Sequence, residues 1–405
     1  MKRLEDYRGI VSDVIITDLH RRASLLHDRH VVHMNSTAQG GGVAEMLYAL
    51  VPLMNDVGVD AGWRVLVGSD DFFGVTKKFH NGLQGDPVNL TDNKKRLYVQ
   101  ANESFSQYNH ISRHDAVIIH DPQPLPIIRF YKKRQPWIWR CHIDLTEPDP
   151  GLWEFLKGYI MRYDLMIVSH ERYLRPDLTV EQRVINPAID PLNQKNIALP
   201  ERTVMRYMKR HHIPLDKPLI TQVSRFDKWK DPEGVVEVFK RVREKVDCRL
   251  VLAGNMATDD PEGLAIYERV RKRAGSLVAS GDIIFLLGAS DVAINALQRV
   301  SSVVLQKSLR EGFGLTVSEA MWKGTPVVAG AVGGIPLQIV DGESGFLVDP
   351  TDLEQTADRV VTLLKDPALA SAMAEAGVEH VREHFLVTRL LGHWLELLAE
   401  LTPRR

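Results

Sequence analysis

Residues 302–330, SVVLQKSLREGFGLTVSEAMWKGTPVVAG, read as a strand, a helix opened by glycines and a second strand. SVVLQKS at 302–308 and TPVVAG at 325–330 are short apolar runs rich in β-branched residues, and a helical pattern lies between them. Short apolar runs alternating with longer helical patterns mark parallel strands joined by crossover helices.

The same rhythm extends in both directions. Ahead of the quoted stretch lie PLITQVSR at 218–225, CRLVLAGN at 248–255 and DIIFLLG at 282–288, and beyond it GFLVDP at 345–350. The first half carries HVVHMN at 30–35, WRVLVG at 63–68, AVIIH at 116–120, WIWRCH at 137–142 and LMIVSH at 165–170. Each half therefore reads as its own doubly wound α/β unit. A chain of 405 residues also exceeds one compact core. The expected division is 1–212 for an N-terminal Rossmann-like domain and 213–385 for a second one. A C-terminal helix over 386–405 would pack back on the first. The seam is expected near 186–217, a stretch rich in Pro and polar residues.

Lys plus Arg number 51 against 52 Asp plus Glu, so no global field would draw nucleic acid or an anionic membrane. The two cysteines, Cys141 and Cys248, lie far apart, without the spacing of a zinc site or a disulfide scaffold. No window approaches the roughly 20 apolar residues of a membrane span, and charges interrupt the start of the chain. These features lead to the expectation of a soluble, cytoplasmic protein with small-molecule partners.

Four motifs offer chemistry. Gln39-Gly40-Gly41-Gly42-Val43 follows a strand and opens a helical pattern, a combination that presents backbone N–H groups to an anion. A plain tight turn is the alternative reading. The run is neither G-x-G-x-x-G nor a P-loop, which sets aside a dehydrogenase or a P-loop kinase. Arg225 and Lys230 stand just beyond a strand, where both could reach a diphosphate or simply be solvated. Glu311 and Glu319 are eight residues apart around Gly312-Phe313-Gly314, a spacing that predicts one shared face about two helical turns long. His142 and Asp144 end an apolar strand and could hydrogen-bond a sugar, although a structural His is the common case there. His27, His30 and His33 are spaced by three but run from a loop into a strand, so no metal is assigned.

Together these motifs resemble the retaining nucleotide-sugar transferases of glycosyltransferase family four, over nearly the whole chain. The family's E-x7-E signature stands as Glu311 to Glu319 and runs on into EAMWKGTPVVAGAVGGIPLQIVDGESGFLVDP. The strings MNSTAQGGGVAEML, HDPQPLP, WRCHIDLTEPDP and SLREGFGLTVSEAMWKG look most like the trehalose-forming branch and its related phosphorylases. Two departures from the broad family are Asn186-Pro187-Ala188-Ile189-Asp190, in place of an Asn-Gly segment, and Gln338, where many relatives carry a glutamate.

The resemblance implies the GT-B fold, two Rossmann-like domains facing across a cleft. It implies Arg225 and Lys230 on the donor diphosphate, Glu311 on the transferred sugar with His142, and Glu319 on the ribose. Gly41, Gly42, Gly254, Gly312, Phe313 and Gly314 would line the donor, and Asn35 with Asp144 the acceptor. The implied reaction joins a nucleoside diphosphate glucose to free glucose as α,α-trehalose, with retention and no covalent intermediate. No resident cofactor is implied. The nucleotide base, Mg2+ stimulation and a homodimer stay open. The alternatives are a retaining trehalose phosphorylase, a family-four transferase with another acceptor, and a catalytically silent nucleotide-sugar sensor.

Overall fold

The computed structural model describes residues 2–38, 41–254 and 261–403. The chain divides into two compact units, Met1–Ala188 with Val387–Arg405, and Ile189–Leu386.

The first unit is built on β1 (His30–Asn35), β2 (Asp60–Val65), β3 (Ala116–His120), β4 (Trp137–Arg140), β5 (Leu165–Val168) and β6 (Glu181–Val184), in the order β2-β1-β3-β4-β5-β6. Every ladder in it is parallel. Val32, Met34, Val117, Ile119, Trp137 and Trp139 carry one buried face, against Phe79, Leu152 and Leu156 from helices. Each such side chain contributes about 2 kcal/mol on burial.

The second unit uses β7 (Leu219–Val223), β8 (Arg249–Gly254), β9 (Ile283–Leu287), β10 (Val303–Gln306), β11 (Val327–Gly330) and β12 (Phe346–Val348), in the order β12-β11-β10-β7-β8-β9. Its ladders are parallel as well. Ile220, Leu250, Leu252, Val303, Leu305 and Val328 pack with Val235, Phe239 and Val360.

Both orders are doubly wound, and each has a point where the winding reverses. In the first unit it lies between β1 and β3, and in the second between β7 and β10. Ligands of open parallel sheets bind outside the carboxyl ends of the strands at such a reversal.

The structure departs from the sequence expectations in four places. The division at Ala188/Ile189 falls within the expected seam of 186–217, near its start rather than at 212/213. The helix Glu201–Arg210 points Val204 and Met208 into a cluster with Leu219, Val251 and Leu297, which fixes it to the second unit. β2 begins and ends three residues ahead of the run read at 63–68, because it pairs residue for residue with β1 from His30↔Asp60 to Asn35↔Val65. β6, with the sequence EQRV, was not legible as a strand: it has β5 as its single neighbour and no fully buried side chain. Finally, the helix after the glycines begins at Leu315, so Glu311 lies in the preceding loop and shares no helical face with Glu319.

The helix Val387–Leu401 packs on the helices Asp13–Ala23 and Gly42–Asp56 of the first unit, burying Leu390, Leu391, Trp394, Leu395 and Leu398. Arg389 Nη2 donates to the carbonyls of Asn186 and Pro187, both at 2.9 Å, and Arg22 meets Glu396 at 2.8 Å. Among the described residues no helix is long and apolar enough to cross a membrane.

Candidate functional site

In the second unit the chain leaves β7 through Ser224-Arg225-Phe226-Asp227 into a single turn at Lys228–Lys230. Asp227 caps that turn by accepting from the Trp229 N–H at 2.8 Å. The side-chain amide of Gln222, on β7, donates to the Lys230 carbonyl at 2.8 Å, and the Leu309 N–H donates to the Trp229 carbonyl at 2.7 Å. The loops after β7 and β10 are thereby tied together at the reversal point.

That tie brings Lys230 to Glu311. Lys230 Nζ donates to Glu311 Oε2, and Ser308 Oγ donates to the same oxygen at 3.2 Å. Glu311 is buried, and Lys230 is mostly so. A cation and a carboxylate are thus held side by side at the strand ends, a pairing able to meet a phosphate and a hydroxyl at once. Arg225 is different: half exposed, it stands 3.8 Å from Asp227 Oδ2. Beneath them the buried Lys307 pairs with Asp231, whose backbone is left-handed at φ 45° and whose Oδ1 caps the next helix at the Gly234 N–H.

The Gly312-Phe313-Gly314 loop is fixed from behind by Gln338. Its Oε1 accepts from the Ser318 N–H at 3.1 Å and from Ser318 Oγ at 2.5 Å, while its Nε2 donates to the Phe313 carbonyl at 2.5 Å. Gly314 takes φ 83° at the helix N-terminus, a conformation that L side chains rarely adopt. Gly254, assigned above to the donor, has a packing reason to be glycine: a Cβ there would lie 2.0 Å from the Ser224 carbonyl oxygen.

Glu319 is buried on the helix Leu315–Trp322, its Oε1 3.7 Å from Lys195 Nζ. Lys323 Nζ donates to the Glu319 carbonyl at 2.9 Å and to Asn196 Oδ1 at 2.8 Å. Burial brings the Lys323 ammonium down to about 7, with Glu319 opposing the shift. Nothing in the spacing of the sequence points to Lys195, Asn196 or Lys323.

In the first unit, Gly41 is the N-cap of the helix Gly42–Asp56 at φ 92°, and both glycines are exposed. Gln39 and Gly40 lie outside the described residues. Asn35, expected on the acceptor, is buried at the end of β1. Its Nδ2 donates to the Thr37 carbonyl at 2.6 Å and its Oδ1 accepts from Trp63 Nε1 at 2.8 Å, so it braces the end of β1 against β2. Asp144 Oδ1 accepts from both the N–H and the hydroxyl of Thr146, an Asx turn. His142 is part-buried, its backbone N–H bound to Asp121 Oδ1 at 2.8 Å. Burial lifts the Asp121 carboxyl to about 6, against the pull of that N–H and of Arg140.

His142 does not stand alone. Its Nε2 lies 2.9 Å from His120 Nδ1, and His120 Nε2 lies 3.0 Å from His33 Nδ1. The only signal for His120 in the sequence is its place at the end of AVIIH, opening HDPQPLP. His27 and His30 take no part: they face Asp28 and Asp60. Among the described residues no group of His, Cys, Asp and Glu is arranged to hold a metal ion.

Two family models match the chain, "Trehalose synthase, N-terminal domain" over residues 33–175 and "Glycosyl transferases group 1" over 205–380. The trehalose synthase of Thermococcus litoralis is 46% identical over 98% of this chain and 97% of its own length. A trehalose phosphorylase of Pleurotus pulmonarius is 30% identical over 97% of this chain but 60% of its own. Among solved structures, a UDP-forming α,α-trehalose-phosphate synthase from Burkholderia xenovorans has a TM-score of 0.75, at 15% identity, covering 93% of this chain and 100% of that one. That likeness is one of fold, the two-sheet GT-B arrangement of glycosyltransferases. By family model and by full-length identity, the chain belongs to the trehalose synthase family of group 1 glycosyl transferases.

Proposed function

We propose that this glycosyltransferase moves glucose from a nucleoside diphosphate glucose to free glucose, with retention, giving α,α-trehalose. The observation that carries the reading is the Lys230–Glu311 pair, set with Ser308 where the strand order reverses between β7 and β10. Lys230, with Arg225, neutralises the diphosphate as the bond from the anomeric carbon to its oxygen breaks. Removing such a group typically costs about 100- to 1,000-fold in kcat. Glu311 and the backbone of Gly312-Phe313-Gly314 take the sugar hydroxyls, and His142 takes a further hydrogen bond to the transferred sugar. The acceptor hydroxyl forms the new bond on the face that the diphosphate leaves, and its proton passes to the departing phosphate oxygen. No carboxylate nucleophile is required, and no resident cofactor; Mg2+ is a variable for the assay.

One observation favours a second reading, a trehalose phosphorylase: Glu319 is buried beside Lys195, where a ribose contact would have to compete with that pair. Incubating the protein with UDP-, ADP- or GDP-glucose plus glucose, and separately with trehalose plus phosphate, separates the two. The leading reading expects nucleoside diphosphate release matched by trehalose, with Glu319→Ala weakening the donor. Glucose 1-phosphate released from trehalose and phosphate, unaffected by Glu319→Ala, would replace it with the phosphorylase.

A further inference from the structure

Across the carboxyl ends of three adjacent strands runs a row of imidazoles. His33 is on β1, His120 ends β3, and His142 lies two residues beyond β4. His33 Nδ1 and His120 Nε2 are 3.0 Å apart, and His120 Nδ1 and His142 Nε2 are 2.9 Å apart. Successive rings sit 5.3 Å apart in both pairs, tilted by 29° and 12°. His33 and His120 are wholly buried.

Both contacts are nitrogen to nitrogen, so each must have one N–H donor and one bare acceptor. A neutral imidazole has one of each, and burial beside the Arg140 cation disfavours an imidazolium in the row. The row is therefore neutral, and its two hydrogen bonds point the same way. The direction is set at the inner end. His33 Nε2 is buried without a hydrogen-bond partner and meets the ring of Trp394 at 79°. A buried N–H with no acceptor is rarer than a buried acceptor with no donor. On that ground His33 Nε2 is assigned as the bare nitrogen, with the hydrogen on His33 Nδ1. His120 Nε2 accepts from it, and His120 Nδ1 donates to His142 Nε2.

We infer that His33 and His120 are positioning residues that fix His142 as its Nδ1–H tautomer, so that His142 meets the sugar as a hydrogen-bond donor and not as a base. The inference rests on the proposed transferase reading and sharpens it. With Nε2 occupied by His120 and Nδ1 carrying the hydrogen, His142 has no lone pair with which to take the acceptor proton, which goes instead to the leaving phosphate. No other residue among those described meets His142 Nδ1. The backbone bond from His142 N–H to Asp121 Oδ1 holds the ring's attachment point, and Asp121 is itself held at φ 61° by the Trp139 indole on its carbonyl at 3.0 Å.

The first test is 15N NMR of the full chain labelled at histidine, with His142 assigned by the signals lost in His142→Gln. All three rings are expected to be neutral at pH 7, with hydrogen on Nδ1. A His142 hydrogen on Nε2, or an imidazolium, overturns the inference whatever the substrate proves to be. The second test compares His120→Gln with His120→Leu. A glutamine can accept at Oε1 and donate at Nε2, whereas leucine can do neither. His120→Gln should keep kcat within about threefold, while His120→Leu should lose about tenfold or more with a smaller change in donor KM, the scale of lost second-sphere bonds. Equal kcat in the two folded variants contradicts it. If the chain turns over none of the proposed substrates, that counts against the transferase reading, while the NMR result still decides the tautomer.

Discussion

Both ends of the Gln338 amide are used, one as acceptor to Ser318 and one as donor to the Phe313 carbonyl. A carboxylate at this position could accept from Ser318 but would face the Phe313 carbonyl with a second acceptor. Gln338→Glu should therefore destabilise the chain by about 1–3 kcal/mol, the cost of a buried polar group left without its partner. It should also raise donor KM by loosening the 312–314 backbone. An unchanged melting temperature with an unchanged KM would rule this account out. The substitution of glutamine for the family's glutamate is visible in the sequence, but its meaning is not: the partner is a backbone carbonyl 25 residues away. Asn35 shows the same limit. The resemblance implies it on the acceptor, and only the fold shows its amide meeting the Thr37 carbonyl and the Trp63 indole.

At the scale of elements, what could be read was what hydrophobic burial writes. Strands with neighbours on both sides, such as β3, β4, β8 and β10, appear as continuous apolar runs. The edge strand β6 does not, because one solvated side tolerates EQRV. The three histidines lie on two of those legible strands and just past a third, yet their alignment depends on parallel register, which no local pattern records. Their burial has a consequence for stability. Burial holds the His33 ring down to about 3, and His120 and His142 well below their usual 6.5. Below pH 6.5 the unfolded chain takes up protons that the folded rings refuse, so stability is lost as pH falls. Each ring steepens the loss by about 1.4 kcal/mol per pH unit. Asp121 acts in the opposite sense between 3.8 and about 6, where its folded carboxyl holds a proton the unfolded chain has released, and cancels about one ring there. Denaturant midpoints should fall steeply from pH 6.5 to 5, and His33→Phe should make that slope shallower. Equal slopes in the two proteins would mean that the rings are not held neutral.

At the scale of the whole chain, two doubly wound units and the region of their seam were legible from the sequence, while the exact bound within 186–217 was not. The helix Glu201–Arg210 reads as part of a basic connecting stretch, and only the packing of Val204 and Met208 assigns it to the second unit. The two reversal points divide the chemistry between them: Lys230, Ser308 and Glu311 at one, and the histidine row with Asp121 at the other. Retaining transfer of glucose from a nucleotide to glucose, as proposed, can be followed through the anomeric carbon of a 13C-labelled nucleoside diphosphate glucose by NMR in the presence of unlabelled glucose. The label is expected in α,α-trehalose as nucleoside diphosphate is released. A β-linked product, or label appearing only in free glucose, would contradict the proposed transfer.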